Sequence, residues 1–382
     1  MNRYLVVTEL FSPTRGGTAV WFDEVYRRLG GRATDVVTAA VAGDSLHDAA
    51  HPSRIHRLNL RRVPWLRPES LLMYLRLLGR TLRLAVTRRY AAIHAGRALP
   101  EGLVALVVAR LTGHSLVVYV HGEELTSWGK GQKYRVMRFV LGHSDQLIAN
   151  SRYTRDVLCG MGIPAARIAL INPGVALERF RPGLDWQRLC PAHPWLGRRP
   201  CLLSVGRLSR RKGFDMSIRA VARLRAEGVD VDYVIVGQGE DDAYLQALAA
   251  ELRVADRVHL LGAVTEQDLP RWYNACDIFL MPNREIAGDT EGFGMVFLEA
   301  AACGKPAIAG RAGGTEDAVL DGATGLRVDA LEEVAVAEAI ASLLTDSERR
   351  RTLGDAALER ARRDYGWASV AARIDALAAP SP

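Results

Sequence analysis

Two glutamates, Glu291 and Glu299, stand eight residues apart in the run Thr290-Glu-Gly-Phe-Gly-Met-Val-Phe-Leu-Glu299. Gly292 and Gly294 let the backbone come close to a ligand. The apolar residues after them open a helix whose first N–H groups are free to meet a phosphate. Glu291 precedes that helix and Glu299 lies inside it. One carboxylate is therefore placed for sugar hydroxyls beyond the helix start, the other for a ribose beside it. The plainer alternative is a helix-capping Glu291 and a solvated Glu299. Glu299 sits between Leu298 and Ala300-Ala301, and a carboxylate in such company is seldom idle.

A second run, Ser204-Val-Gly-Arg-Leu-Ser-Arg-Arg-Lys-Gly213, supplies Arg207, Arg210, Arg211 and Lys212 after an apolar stretch. A guanidinium fork and an ammonium point charge suit a diphosphate, and neutralising a leaving diphosphate is transition-state stabilisation. Arg207, directly after Gly206 at the strand end, is the favoured ligand; Arg210 and Arg211 read equally well as a solvated turn. His121-Gly122 ends another apolar run and offers a polar contact there, although a lone histidine is more often structural. Gly16-Gly17 resembles a phosphate-binding turn, and Gly237-Gln-Gly239 is a weaker example. Neither a GxGxxG after the first strand nor a GxxxxGK[ST] occurs, which argues against a nicotinamide oxidoreductase and a P-loop NTPase. Asp230-Val-Asp232 spells the DxD of metal-dependent sugar transferases. It precedes a strand instead of following one, so no metal and no cofactor are expected.

Elements able to position these residues repeat along the chain. Apolar runs predict strands over 4–8, 35–41, 115–120, 146–149 and 168–171, then over 201–205, 232–236, 258–261, 277–281, 306–309 and 325–328. Helical spacing predicts helices over 18–29, 214–227, 241–251 and 294–303, with further helices in the tail 331–378. Between the two series, 172–200 carries Pro173, Pro182, Pro191, Pro194 and Pro200 and reads as a linker. The fold class is α/β: two doubly wound halves, each a parallel sheet covered on both faces. Such sheets bind ligands at the carboxyl ends of their strands. If the halves face each other, those ends form one cleft.

The 382 residues suit two domains. With 49% apolar and 24% charged residues, global disorder is excluded. The longest apolar stretch, 103–111, is too short to cross a membrane, and the first seven residues read as a strand, not a signal peptide. Five scattered cysteines without a CxxC pair read as reduced thiols of a cytoplasmic protein.

In order and spacing, these motifs resemble the retaining glycosyltransferases of family 4, which have the GT-B fold of two Rossmann-like domains facing across a cleft. The resemblance runs through Gly16-Gly17, His121-Gly122, Asn150-Ser151, Asn172-Pro-Gly-Val175, Gly206-Arg207, Lys212-Gly213, Val236-Gly-Gln-Gly239, Leu261-Gly262, the Glu291…Glu299 pair and Gly313-Gly314. It implies an acceptor-binding domain over 1–175, a linker over 176–200 and a nucleotide-sugar domain over 201–364. The last helix, within 365–382, would pack back on the first domain. It further implies that Arg207 and Lys212 bind the donor diphosphate and that Glu291 contacts sugar hydroxyls. Glu299 would bind the ribose, and Gly206, Gly237 and the backbone from Phe293 through Gly294 and Met295 to Val296 would hold phosphate and sugar. His121 would lie near the anomeric centre, and Gly16-Gly17 in a loop facing acceptor and diphosphate. The loop 282–291 is similar to that of mannosyltransferases building phosphatidylinositol mannosides and related lipid-linked glycans. That implies a GDP-mannose donor, with UDP-sugars as the alternative, and a glycan or polyprenyl- or phospholipid-linked acceptor. A sugar-nucleotide epimerase, hydrolase or phosphorylase of the same fold is the competing reading.

The formal charge of +7 is unevenly spread. Between Pro52 and Tyr90 stand ten arginines (Arg54, Arg57, Arg61, Arg62, Arg67, Arg76, Arg80, Arg83, Arg88 and Arg89) and one acid, Glu69. Leu71, Leu72, Tyr74, Leu75, Leu78, Leu82 and Leu84 alternate with three of them, and Trp65 stands before the run. A helix of this kind lies on an anionic membrane surface, or it faces a core while its arginines are solvated. The membrane reading makes the protein peripheral on the inner face of the cell membrane. A nucleic-acid partner is not expected, because leucines and not base-stacking aromatics accompany the arginines.

Overall fold

The computed structural model describes residues 2–14, 16–62 and 68–377. Trp65, Arg67 and the end of the expected last helix, 378–382, lie outside the described residues. The chain forms two compact units: one runs to Pro173 and resumes at Trp367, the other spans Gly174–Gly366.

In the first unit, seven strands pair in parallel: β1 (Tyr4–Val7), β2 (Asp35–Ala39), β3 (Arg54–Leu58), β4 (Ala92–Ala95), β5 (Ser115–Val120), β6 (Gln146–Ala149) and β7 (Ile168–Leu170), in the order β3-β2-β1-β4-β5-β6-β7. The second unit has six: β8 (Cys201–Val205), β9 (Asp232–Val236), β10 (Val258–Gly262), β11 (Ile278–Met281), β12 (Ala307–Gly310) and β13 (Gly325–Val328), in the order β10-β9-β8-β11-β12-β13. In each sheet the winding reverses beside the first strand, between β1 and β4 and between β8 and β11. The loops leaving those two strands diverge to opposite faces and open a crevice, where doubly wound folds take their ligands.

Two strands had no apolar signature. β3 is an edge strand, Arg-Ile-His-Arg-Leu, with no fully buried residue. β4 is only Ala-Ile-His-Ala. Its His94 is buried, with Nδ1 hydrogen-bonded to Tyr26 Oη at 2.5 Å, and burial lowers its pKa to about 3, keeping the ring neutral. The stretch expected as a linker, 176–200, belongs to the second unit: Phe180, Leu189 and Leu196 are buried in a core with Val205, Trp272 and Tyr273. Its prolines and glycines shape an irregular but packed segment. The helix Trp367–Ala376 packs on the helix Gly17–Tyr26 of the first unit, burying Trp367, Val370, Ala371 and Ile374. Asp375 anchors it by accepting from Tyr4 Oη at 2.5 Å and from Asn2 Nδ2 at 3.2 Å.

The basic helix Leu71–Thr87 has two faces. Met73, Leu77, Thr81, Leu84 and Ala85 enter the core, whereas Leu71, Leu75 and Val86 are exposed. Several arginines of the basic stretch are structural: Arg57 pairs with Asp48 at 2.7 Å, Arg80 donates to His56 Nδ1, and Arg88 pairs with Asp35 at 2.6 Å. Arg54, Arg61, Arg62, Arg83 and Arg89 are exposed. One side of the helix thus faces the core, and the other carries exposed apolar and basic residues. Leu77→Ala should cost about 2–5 kcal/mol of stability through the cavity it leaves. Leu75→Ala, on the exposed face, should stay within about 0.5 kcal/mol. Thermal melts of the two variants check the assignment, and equal losses would contradict it.

Candidate functional site

The crevice of the second unit is built from the loops after β8 and β11. The first turns through Arg210–Lys212 into the helix Phe214–Ala226; the second runs from Pro282 into the helix Met295–Ala302. Their close approach depends on Gly213. It holds φ +76°, and a Cβ there would stand 1.9 Å from the Pro282 carbonyl oxygen. Arg284 joins the loops twice: its N–H donates to the Arg211 carbonyl at 2.8 Å, and its guanidinium binds Asp215 at 2.7 Å. Asn283 ties the second loop to the end of β12 by accepting from Gly310 N–H at 3.2 Å and donating to the Ala312 carbonyl at 3.1 Å.

At the meeting point, Lys212 Nζ and Arg211 Nη1 both donate to Glu291 Oε2, the latter at 2.8 Å. Arg211 also reaches Asp289 at 3.2 Å. Glu291 is buried. Burial pushes its carboxyl upward, but Lys212 and then Arg211 outweigh that and hold it below the usual carboxylate range. Glu291 is therefore an anion at neutral pH, and it does not cap the helix. Gly294 occupies the cap position at φ +88° with no side-chain cap, leaving the first helical N–H groups to other partners.

Glu299, one turn into this helix, accepts from Tyr273 Oη at 2.7 Å. Burial pushes its carboxyl up to about 7, against the lowering effects of the Tyr273 hydrogen bond and the Arg179 charge. Arg207 lies on the other side of the β8 loop, 75% exposed, with Nε 3.1 Å from Glu240. Gly206 and Gly237 lie back to back: a Cβ on Gly237 would stand 1.8 Å from the Gly206 carbonyl oxygen. Phe293 is buried, whereas Met295 and Val296 are half-buried at the helix start.

The structure thus brings Lys212 and Glu291 into contact and places Arg207 apart from them. Arg211, read from sequence as a turn residue as readily as a ligand, is the second partner of Glu291. Its signal was present in the basic run. Tyr273 gave no signal, since it lies on a separate helix, Leu269–Ala275, 26 positions before Glu299. Asp230 pairs with Arg199 and Arg257, each at 2.6 Å, and Asp232 with His259 at 3.0 Å. Both acids sit at the amino end of β9, whereas the crevice opens at the carboxyl ends of the strands.

In the first unit, His121 follows β5. Its Nε2–H donates to the Gly96 carbonyl at 2.9 Å, and its ring meets Trp21 edge-on at 5.6 Å. Burial lowers its pKa, so the ring is neutral at pH 7. Gly16, at φ +139°, precedes the helix that Gly17 opens, and a Cβ on it would meet nothing within 4 Å.

Comparison with known proteins bears on the chain as a whole. The family described as Glycosyltransferase Family 4 matches residues 15–179, and Glycosyl transferases group 1 matches residues 190–360. A GDP-mannose-dependent alpha-(1-6)-phosphatidylinositol monomannoside mannosyltransferase of Mycolicibacterium smegmatis is 32% identical over 98% of this chain and 97% of its own length. Its Mycobacterium tuberculosis counterpart is 33% identical over the same shares. The crystal structure of Anabaena HepE in complex with UDP superposes with a TM-score of 0.83 at 20% identity, covering 98% of this chain and 99% of that one. The chain belongs to glycosyltransferase family 4: it is a retaining hexosyltransferase with the GT-B fold and a nucleotide-sugar donor.

The unfolded chain releases the Glu299 proton near pH 4.5, whereas the folded chain keeps it until about 7. This group's contribution to stability therefore falls as pH rises through that window and is level above it. Glu299→Gln should flatten the stability–pH curve there. Tyr273→Phe, which removes a hydrogen bond to the carboxylate, should move the upper limb to higher pH. Denaturation curves between pH 4 and 8 (roughly the span of both values) read both effects.

Proposed function

We propose that this transferase moves mannose from GDP-mannose to a hydroxyl of a phosphoinositide-type lipid-linked acceptor. The observation that carries the transfer chemistry is the contact of Lys212 and Arg211 with Glu291 in the crevice between β8 and β11. The donor sugar and acceptor class rest on the two mycobacterial relatives and on the resemblance of the loop 282–291.

In this reading Lys212 and Arg207 bind the donor diphosphate. The exposed pair of Arg207 with Glu240 contributes little, so the guanidinium exchanges a carboxylate for a phosphate at small cost. Glu291 accepts hydrogen bonds from sugar hydroxyls, and Glu299, once ionised, accepts from the ribose diol. The first N–H groups of the helix Met295–Ala302 and its positive dipole end stabilise the phosphates. His121, neutral and oriented by the Gly96 carbonyl, supplies a polar contact for the sugar, and the Gly16-Gly17 loop faces acceptor and diphosphate.

The acceptor hydroxyl attacks the anomeric carbon on the face from which the diphosphate departs. The carbon–oxygen bond to phosphate breaks as the new bond forms, and a phosphate oxygen takes the acceptor proton. Glu291 is a poor nucleophile and a poor base, since two cations hold its lone pairs and its charge. The protein's contribution is positioning and neutralisation of the developing negative charge. Lys212→Ala should lower kcat by about 10²–10³-fold, the loss typical of one such electrostatic donor. In thermal-shift titrations GDP-mannose should stabilise the wild-type protein more than UDP-sugars do. Near-normal turnover in the variant, or a preference for a UDP-sugar, would overturn the assignment.

No helix among the described residues is long and apolar enough to cross a membrane. The face of Leu71–Thr87 carrying Leu71, Leu75 and Val86 beside Arg83 combines apolar and basic groups. That combination adsorbs to anionic bilayers and would bring a lipid acceptor to the first unit. In flotation assays, Leu75→Asp with Val86→Asp should abolish binding to anionic vesicles. Unchanged flotation would count against this surface.

A further inference from the structure

One element holds the chain on both sides of Gly16-Gly17. Before the glycines, the loop leaving β1 drops Phe11 into the protein, where its ring is completely buried. After them, the helix Gly17–Tyr26 carries Asp23. The helix Asp44–Ala50, in the crossover from β2 to β3, reaches both.

The contacts come from His47 and Asp48 in that helix and from His51 just past its end. The His47 and His51 rings meet Phe11 edge-on, at 5.8 and 5.4 Å between centroids, a favoured arrangement of rings. The same two rings converge through Nε2 on Asp23 Oδ1, at 2.9 Å from His47 and 3.3 Å from His51. His51 Nδ1 accepts from Ser53 N–H at 3.1 Å, so the neutral ring carries its proton on Nε2, the atom facing Asp23. Burial lowers the pKa of His51 to about 4. Arg27 binds the other oxygen of Asp23 at 3.2 Å.

Arg57, on β3, closes the cluster. Its guanidinium grips both oxygens of Asp48, at 3.0 and 2.7 Å, and donates to the Ala39 carbonyl at 3.0 Å and the Ser12 carbonyl at 2.5 Å. It also lies 5.7 Å from the centre of the Phe11 ring. Asp48 in turn faces His47 Nδ1 at 3.2 Å. A connected polar network of this kind is rigid. Gly16, by contrast, stands in open space, with nothing within 4 Å of where a Cβ would be. A glycine there has wide conformational freedom, so its placement depends on how the flanking residues are held.

We infer that His47, His51 and Arg57 are positioning residues of this transferase: they bracket the Gly16-Gly17 turn and set where it stands, acting through Phe11, Ser12 and Asp23. The effect on transfer rests on the role proposed above for that turn; the bracket itself does not.

Hydrogen exchange of the full chain without ligands, read by mass spectrometry, tests the bracket. Steady-state turnover of GDP-mannose with phosphatidylinositol micelles tests its use. The variants are His47→Ala and Arg57→Lys, whose side chains are 15% and 11% exposed, so that the fully buried His51 stays in place. Lysine keeps a cation for Asp48 but cannot serve the Ser12 and Ala39 carbonyls as well. Leu46→Ala, on the exposed side of the same helix, is the control. Expected in both variants is exchange about tenfold or more faster over residues 10–20, through loss of charge-assisted contacts, with β5 unchanged. Turnover should fall about tenfold or more in kcat, as misplaced groups cost, with little change in KM for GDP-mannose. Leu46→Ala should alter neither readout. Unchanged exchange over 10–20, or equal acceleration in β5, would overturn the proposal. Faster exchange over 10–20 with unchanged turnover would uphold the bracket and refute the role of Gly16-Gly17 in transfer. Wild-type protein that does not turn over this substrate pair would refute the donor and acceptor reading, and exchange would still decide the bracket.

Discussion

One carboxylate shared by two cations organises the second unit. Buried as it is, Glu291 would have its carboxyl pushed upward in the absence of Lys212 and Arg211. To supply those charges, the turn after β8 must press against the loop after β11. Gly213 against Pro282, the two bonds of Arg284, and Asn283 against the end of β12 all serve that approach. The cluster also presents cationic charge near the start of the helix that Gly294 opens. Removing one member of such a group leaves a buried charge uncompensated, which is why these residues act as a set.

The two units repeat one topology with inverted chemistry. Each reverses its winding beside its first strand, and each places an ionic cluster on the loops that leave there. In the second unit an anion is held between cations; in the first, Arg97 is held between Glu9 and Glu101. The charge excess of the chain separates along the same lines. Some arginines of the 52–90 stretch are consumed by structure, as with Arg57, Arg80 and Arg88, others are exposed, and Arg62 lies with Lys133 and Arg97 along a cleft of the first unit.

Sequence patterning revealed the strands that read as continuous apolar runs. β5, β6, β8, β9 and β13 begin and end where expected. β3, an edge strand with arginines, and the four-residue β4 lacked that signal. The Pro-rich stretch 176–200 misled because proline and glycine mark irregular backbone, not exposure; its Phe180, Leu189 and Leu196 are core residues. Within the site, Glu291, Glu299 and Lys212 were readable from spacing and residue type. Arg211, which reads from sequence as readily as a solvated turn residue, contacts Glu291, and Arg207, next to the strand-end glycine, pairs with the exposed Glu240. Tyr273 was invisible, since a tyrosine in a short separate helix carries no mark of the carboxylate it will meet.

The central claim is that Glu291 acts through its charge, held by Lys212 and Arg211, and never bonds to the sugar. Intact-protein mass spectrometry of enzyme quenched during turnover with GDP-mannose tests this directly. The account predicts protein of unmodified mass throughout the reaction. A hexosyl adduct that accumulates during turnover and maps to Glu291 would contradict it.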